Sequence, residues 1–456
     1  MTITRFGRRV TPDSAQRRRL GLCAALAVVV AFLGGWRQCE PASPPNVVLI
    51  SIDTLRPDHL GAYGYARPTS PNIDALAARG VVFENAFSPS SWTLPAHATL
   101  LSGVSPYRHG AVTSATRIRD DVPLLAETLA ARGYHTAAFV NAPFVSQGYG
   151  FARGFARFEQ RFTEKRAHVA ARQRAILEAV AELEPPFFLF VHYMDVHTPY
   201  RPPKAFNRFA ADRRGGTVLK GVGAGGFLEL QRAVRDGKVA ISNADRDRLV
   251  DLYDGEILAV DAKIGELVRA LEREPDTVIV LTSDHGEEFL EHSGVGHAET
   301  LYDEVLRVPL IVTGPGIAPG RAKTFASLAD VVPTFLDWLG GPVPAGLDGR
   351  SLVGALRRSP VPDDDVVLAL HTSSHDGRAA LRGVRSAGHK LIQDDASGRA
   401  ELYDVARDPG ERTNLLPGAA DDRLAQILAR LSAPSTVPAP RPNEETVESL
   451  KALGYL

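Results

Sequence analysis

Apolar positions along the chain fall into two alternating patterns. Short, mostly apolar runs recur at 46–52, 81–87, 134–140, 187–193, 277–282 and 308–312. Runs of this length, rich in Val, Ile, Leu and Phe, suit strands buried in a parallel sheet. Between them lie stretches with helical spacing at 72–79, 95–102, 122–132, 164–184, 245–273 and 328–339. This alternation predicts an α/β sheet with helices on both faces. Residues 166–184 and 245–274 are long, amphipathic and charged, so they read as surface helices whose Arg and Glu runs face solvent. Residues 211–226, rich in Arg and Gly, read as an insertion loop. After Pro342 the pattern shortens: 366–371, 379–386 and 390–393 look like antiparallel strands with Gly-containing turns. The tail from Ser432 is Pro-rich and ends in a short helix near 450–456.

Two of the apolar runs end on carboxylates. The first is followed by Asp53, and the run at 277–282 by Ser283-Asp284-His285-Gly286-Glu287. In open α/β sheets ligands bind outside the carboxyl ends of strands. Both runs therefore deliver Asp53, Asp284 and His285 to one edge. The segment Ser91-Trp92-Thr93-Leu94-Pro95-Ala96-His97 through Gly103 reads as a loop entering a helix. Pro95 suits the first helical position, Gly103 the C-cap, and Thr93 the place just before the helix. Free N–H groups and the positive end of the helix dipole favour an anion there. A Thr in that place is by itself an ordinary cap. Beside three potential ligands it becomes a nucleophile candidate, and the set describes a metal-assisted ester-cleaving site.

From about 46 to about 416 the chain resembles the sulfatase family of the alkaline phosphatase superfamily. Thr93, Pro95, Leu100, Leu101, Ser102 and Gly103 match its nucleophile motif. Further matches are Pro71-Asn72-Ile73-Asp74, Tyr107-Arg108-His109-Gly110, His197-Thr198-Pro199-Tyr200, Leu301-Tyr302-Asp303-Glu304 with Arg307-Val308-Pro309, and Glu401-Leu402-Tyr403-Asp404 with Asp408-Pro409. The resemblance implies an alkaline-phosphatase-like, doubly wound, mostly parallel sheet flanked by helices. It adds a small C-terminal subdomain of antiparallel sheet and helix. We divide the chain into a basic tail (1–19), an apolar segment (20–36), a linker (37–45), a catalytic domain (46–345), the subdomain (346–431) and a tail with a short helix (432–456). The resemblance further implies one divalent ion held by Asp53, Thr93, Asp284 and His285. It makes His197 the histidine that donates to the leaving oxygen or bonds the anion. His297 falls where the family places a Lys and is a candidate general acid. His97 stands in place of an Arg, either as an anion donor or as a residue pointing to solvent. Asn141 and His109 are candidates for support behind these groups. His192 reads as a mid-strand core histidine, and Asp195 has no assigned part.

The departures bear on chemistry. Sulfatases use a Cys or Ser oxidised to formylglycine, and Thr93 cannot take that route. A second Asp common in the family is Thr54 here, and the Lys and His that grip sulfate are missing around Gly133–Pro143. Oxygen donors suit Ca²⁺ or Mg²⁺; with Thr54 for Asp and His285 present, the preference shifts toward Mn²⁺ or Zn²⁺.

Composition narrows the partners. A formal net charge of -1, with no basic-aromatic clustering beyond the N-terminus, gives no case for nucleic acid. Both cysteines, Cys23 and Cys39, precede the body, which therefore has neither a disulfide nor a thiolate metal site. Six arginines before position 20, then an apolar stretch at 20–36 and the linker Pro41-Ala42-Ser43-Pro44-Pro45, read as a signal anchor or signal peptide. This points to a bacterial cell envelope protein with its body outside the cytoplasm. The expected partner is a small-molecule, glycan or lipid ester. The rival activities are a membrane-associated phosphoryl-group transferase and a metal-bound protein without catalysis.

Overall fold

Asn46–Ile52 (β1) is buried at every residue, and it lies inside an eight-stranded sheet. The other strands are β2 (Val81–Phe87), β3 (His135–Val140), β4 (Arg157–Gln160), β5 (Phe187–Tyr193), β6 (Thr277–Thr282), β7 (Leu310–Thr313) and β8 (Gly320–Ser327). Their order across the sheet is β8-β2-β7-β6-β1-β5-β3-β4. All pairings are parallel except those of β7, which runs antiparallel to both β2 and β6. The sheet is thus mostly parallel, in an α/β fold of the alkaline-phosphatase type. This computed structural model describes residues 44–162, 166–210, 224–362, 368–373, 380–431, 433–441 and 444–452. Those from Pro45 onward form one compact unit. The apolar segment at 20–36 lies outside the described residues. Among the described residues no helix is long and apolar enough to cross a membrane.

Strand alternation sorts the core into two layers. Val47 and Leu49 face one side with Leu94, Ala98 and Phe335, while Val48, Ile50 and Ile52 face the other with Ile73, Ile176 and Ile257. The first layer is covered by α2 (Thr93–Ser102) and α6 (Val331–Trp338). The second is covered by α1 (Pro71–Ala77), α3 (Arg166–Glu182) and α5 (Asn243–Leu271). The expected insertion loop resolves in part: 211–223 lies outside the described residues, and from Ala224 a helix, α4 (Ala224–Arg235), begins. Two sheet strands escaped the sequence reading. β8 alternates polar and apolar residues at the sheet edge, with a register shift between Ala322 and Phe325, and β4 is only half-buried. Neither shows the unbroken apolar run of a central strand.

A second, antiparallel sheet follows: β9 (Leu368–Ser373), β10 (Ala380–Arg385), β11 (His389–Asp394) and β12 (Ala400–Asp404). One face packs on α7 (Asp422–Arg430) through Val384, Leu391, Leu402, Leu424 and Leu428. The other face, with Leu370, Ile392 and Tyr403, packs on Phe87, Leu306 and Phe325 of the larger sheet's surroundings. Arg385 stacks 3.7 Å over the Phe87 ring and forms two hydrogen bonds to Asp303. Buried Lys390 joins Asp303 to Glu411.

Candidate functional site

The parallel register of β1, β5 and β6 brings their carboxyl ends together, with Ser51 opposite both His192 and Thr282. Asp53, Asp284 and His285 follow from these ends and converge: one ligand atom from each lies within 4.8 Å of the others. All three residues are fully buried. The two Asp284 oxygens are used differently. Oδ1 accepts the backbone N–H of His285 at 2.9 Å and of Thr54 at 3.3 Å. Oδ2 has no hydrogen-bond partner and lies 3.4 Å from Nε2 of His285. Thr54 adopts φ 58, a conformation a β-branched residue rarely takes. Tyr253 holds that turn by donating to the Thr54 carbonyl at 2.7 Å and accepting the Arg56 N–H at 2.8 Å. The strain aims the Thr54 N–H at Asp284. Gly286 follows the pair because a Cβ there would lie 2.1 Å from the Glu304 carbonyl oxygen.

His285 donates from Nδ1 to the Gly286 carbonyl at 2.9 Å, which leaves the Nε2 lone pair facing the two carboxylates. Burial pushes its pKa down to about 4. Burial raises Asp53, against the pull of His197 and His285, and raises Asp284 to about 6 with help from the neighbouring Asp53 charge.

The α2 helix starts two residues earlier than the sequence reading has it. Trp92 is the N-cap, Thr93 opens the helix, and Pro95 sits in the first turn. Pro is tolerated there because the first four N–H groups of a helix have no intrahelical acceptor. Gly103 ends the helix at φ 72 with its N–H on the Thr99 carbonyl, as expected. Thr93 is only 3% exposed, and its side chain stands beside the Asp53 carboxylate, helping to lower it. Even so, neither Asp53 oxygen has a hydrogen-bond partner of good geometry.

His97 does not point to solvent. It is fully buried, with Nδ1 donating to the Thr93 carbonyl at 2.9 Å and Nε2 accepting from the Ser51 hydroxyl at 3.0 Å. Its Nδ1 is also 3.4 Å from Oδ2 of Asp284. With both nitrogens engaged and burial holding its pKa near 3, it braces Thr93 and Asp284 as a neutral ring. His192, read as a core histidine, belongs to the site. Its ring is 4.7 Å from that of His97, and its Nε2 is 3.4 Å from Oδ2 of Asp53. Asn141 accepts from its Nδ1 at 3.2 Å.

A second cluster adjoins the first. The rings of His197 and His297 are 4.9 Å apart, and those of His285 and His297 are 4.6 Å apart. Glu287, which sequence reasoning passed over, is fully buried; its Oε1 meets Nδ1 of His297 at 2.9 Å and its Oε2 accepts from Tyr200 at 2.7 Å. Burial lifts Glu287 to about 7 and pushes His297 down to about 4. Such a pair titrates as a unit. His197 donates from Nδ1 to the Thr198 carbonyl at 2.6 Å. The surrounding elements fix this cluster in place. Gln231 of α4 donates to the His297 carbonyl, and Thr372 of β9 meets both Ser91 and the Ala298 carbonyl.

Two weaker candidates fall elsewhere. Although burial opposes it, Lys263 and Arg172 hold Asp195 below the usual carboxylate range, so it serves an ion-pair network. His109 spends its nitrogens on Thr99 and the Ala111 N–H, tying the end of α2 to the following loop.

A divalent cation fits the first cluster. Buried polar atoms normally find partners. Yet both Asp53 oxygens, Asp284 Oδ2 and His285 Nε2 have none, and they face one another. His192 Nε2, also without a hydrogen-bond partner, lies against Asp53 Oδ2, and His192 groups with His97 and Asp284. Two carboxylates with neutral imidazole nitrogens form a donor set for such an ion.

The sulfatase family profile matches residues 45–341, and the profile of the N-sulphoglucosamine sulphohydrolase C-terminal region matches residues 284–434. The chain is 27% identical to a Delta 4,5-hexuronate-2-O-sulfatase of Bacteroides thetaiotaomicron, covering 88% of this chain and 89% of that one. It is 28% identical to a choline-sulfatase of Rhizobium meliloti, covering 81% and 82%. Among solved structures, the phosphonate monoester hydrolase of Agrobacterium radiobacter superposes with a TM-score of 0.66 at 24% identity, over 84% of this chain and 93% of that one.

Proposed function

The chain belongs to the sulfatase family of ester hydrolases, and within it we propose a hydrolase that uses Thr93 as nucleophile and prefers phosphoric to sulfuric esters. The observation that carries this reading is a Thr93 hydroxyl, which cannot become formylglycine, standing beside Asp53 at the start of α2. Formylglycine releases sulfate by collapse of a hemiacetal. Thr93 has no such exit, so a sulfated Thr93 would need water to attack at sulfur. A phosphorylated Thr93 is opened by water attack at phosphorus. The stretch where the family's sulfate grips are expected offers Asn141 instead, and its carbonyl is turned toward His192. The same fold serves phosphonate monoester hydrolysis in the Agrobacterium radiobacter enzyme.

A divalent ion held by Asp53, Asp284 and His285, with Thr93 as a further ligand, would lower the pKa of the Thr93 hydroxyl and offset charge developing on the substrate. The protein groups do the rest. The Thr93 oxygen, its proton lost to solvent, attacks phosphorus as the bond to the ester oxygen breaks, and it departs as the same alkoxide when water later attacks phosphorus. His297, whose Nδ1 rests on Glu287, gives its Nε2 proton to that leaving oxygen when the pair carries no net charge. His197, with Nδ1 on the Thr198 carbonyl, presents Nε2 as an acceptor and takes a hydrogen bond from a protonated oxygen of the substrate phosphoryl group or from the attacking water. In the second half the same dyad takes a proton from the attacking water. Thr93, His197 and His297 are all buried, at 3%, 6% and 8% exposure. The arginine-rich start and apolar segment at 20–36 support placement in the cell envelope, by an anchor or a cleaved signal.

The test compares kcat/KM on matched aryl phosphate and aryl sulfate, with acid quench and mass spectrometry for phosphorylated Thr93. A higher Thr93-dependent value on the sulfate would overturn the preference.

A further inference from the structure

Resting on this metal-dependent reading, we propose that His192 is a fourth protein ligand of the divalent ion, alongside Asp53, Asp284 and His285. His192 ends the inward-facing series Phe188, Phe190, His192 of β5, on the α2 face of the sheet. It is fully buried. The Asn141 carbonyl oxygen takes its Nδ1 proton at 3.2 Å, so Nε2 carries the lone pair. That lone pair has no hydrogen-bond partner, and it lies 3.4 Å from Oδ2 of Asp53. A neutral imidazole nitrogen aimed at a carboxylate oxygen has nothing to give it. A cation between the two satisfies both. His285 has the same build on the other side: Nδ1 on a carbonyl oxygen, Nε2 free, 3.7 Å from Oδ1 of Asp53. The two oxygens of Asp53 are thus flanked by two histidines whose tautomers are set by carbonyl acceptors.

Position 54 contributes its N–H to Asp284, and its buried hydroxyl has no hydrogen-bond partner. β5 brings an imidazole nitrogen to the same carboxylates. His192 comes within 4.8 Å of an Asp284 oxygen in a group that also includes His97, but both nitrogens of His97 are engaged by Thr93 and Ser51. A second imidazole nitrogen beside the two carboxylates moves the preference from Ca²⁺ or Mg²⁺ toward Mn²⁺ or Zn²⁺.

The experiment loads the full chain with Co²⁺ and measures metal affinity, stoichiometry and paramagnetically shifted imidazole N–H signals. The wild-type protein should bind one ion and show two such signals, one each from His192 and His285. His192→Phe fills the same space without a nitrogen and should lose one signal and more than about 100-fold in affinity, since even loss of an outer partner costs about 10–100-fold. Asn141→Leu, which keeps the ligand but frees its tautomer, should lose about 10-fold or more. Should His192→Phe fail to fold, the Asn141 variant and the wild-type signal count still decide. Unchanged affinity with both signals retained overturns the proposal. So does a wild type that binds two ions, of which His192→Phe loses one. A wild type that binds no ion overturns the metal-dependent reading itself, whereas binding that depends on Asp284 but not on His192 or Asn141 overturns this inference alone.

Discussion

Glu287 places a carboxylate oxygen 2.9 Å from Nδ1 of His297, and both groups are buried. That contact sets which imidazole nitrogen faces the substrate. Glu287→Gln should therefore slow esters with poor leaving groups by about 100-fold or more, the scale of general acid catalysis. Esters with good leaving groups need little proton donation and should lose far less. A plot of log kcat/KM against leaving-group pKa should steepen in the variant. An unchanged slope would remove His297 from the role of acid.

Thr93→Ala should reduce turnover by at least about 1,000-fold, because nucleophile and partners act as a unit. Thr93→Ser keeps a hydroxyl at the first residue of α2 and should retain a measurable fraction of the activity. Circular dichroism and metal content report whether the Ala variant stays folded and loaded. A folded, loaded Ala variant with near wild-type turnover would dismiss Thr93 as the nucleophile.

Removing the divalent ion should destabilise the protein more at neutral than at acid pH. Without the ion, burial and the Asp53 charge raise Asp284 from 3.8 to about 6. A carboxyl raised in the folded state binds its proton more tightly there than in the unfolded chain. Stability of the ion-free protein therefore falls as pH rises from about 4 through about 6. With the ion bound, the carboxylates ionise without that penalty. The Tm gap between loaded and chelated protein should widen across this window and level off above it. A gap that narrows with rising pH would contradict the assignment.

Arg385 couples the small sheet to the segment that leads into β7. It forms two hydrogen bonds to Asp303 and stacks on Phe87 and Phe325. Arg385→Leu strands the Asp303 charge in part and should cost about 3–5 kcal/mol, the scale for breaking a buried pair. Arg385→Lys keeps charge but not the planar fork, and should cost less. Urea denaturation measures both. Because β9 touches Ser91 and the Ala298 carbonyl through Thr372, the Leu variant should also lower kcat.

The central strands were legible because burial on both faces demands continuous apolar runs, and β1, β2, β5 and β6 occupy the residues that pattern predicts. Asp53, Asp284 and His285 were legible because residues just past parallel strands collect at one edge whatever the details of packing. Gly103 announced its turn because only φ above zero ends α2 there. His192 and Glu287 gave no such signal. A histidine inside an apolar strand looks the same in sequence whether it fills a core or meets a carboxylate. What decides is the lateral register that sets Ser51 opposite His192, and the α2 start that sets His97 between Ser51 and Thr93. Glu287 likewise becomes a partner of His297 only when the loop after β6 folds back past Gly286 against Glu304. Local pattern determined which residues reach the edge of the sheet, because that depends on one strand at a time. Which of them share a proton or a cation was decided by contacts between strands far apart in the chain, and those distances exist only in the folded molecule.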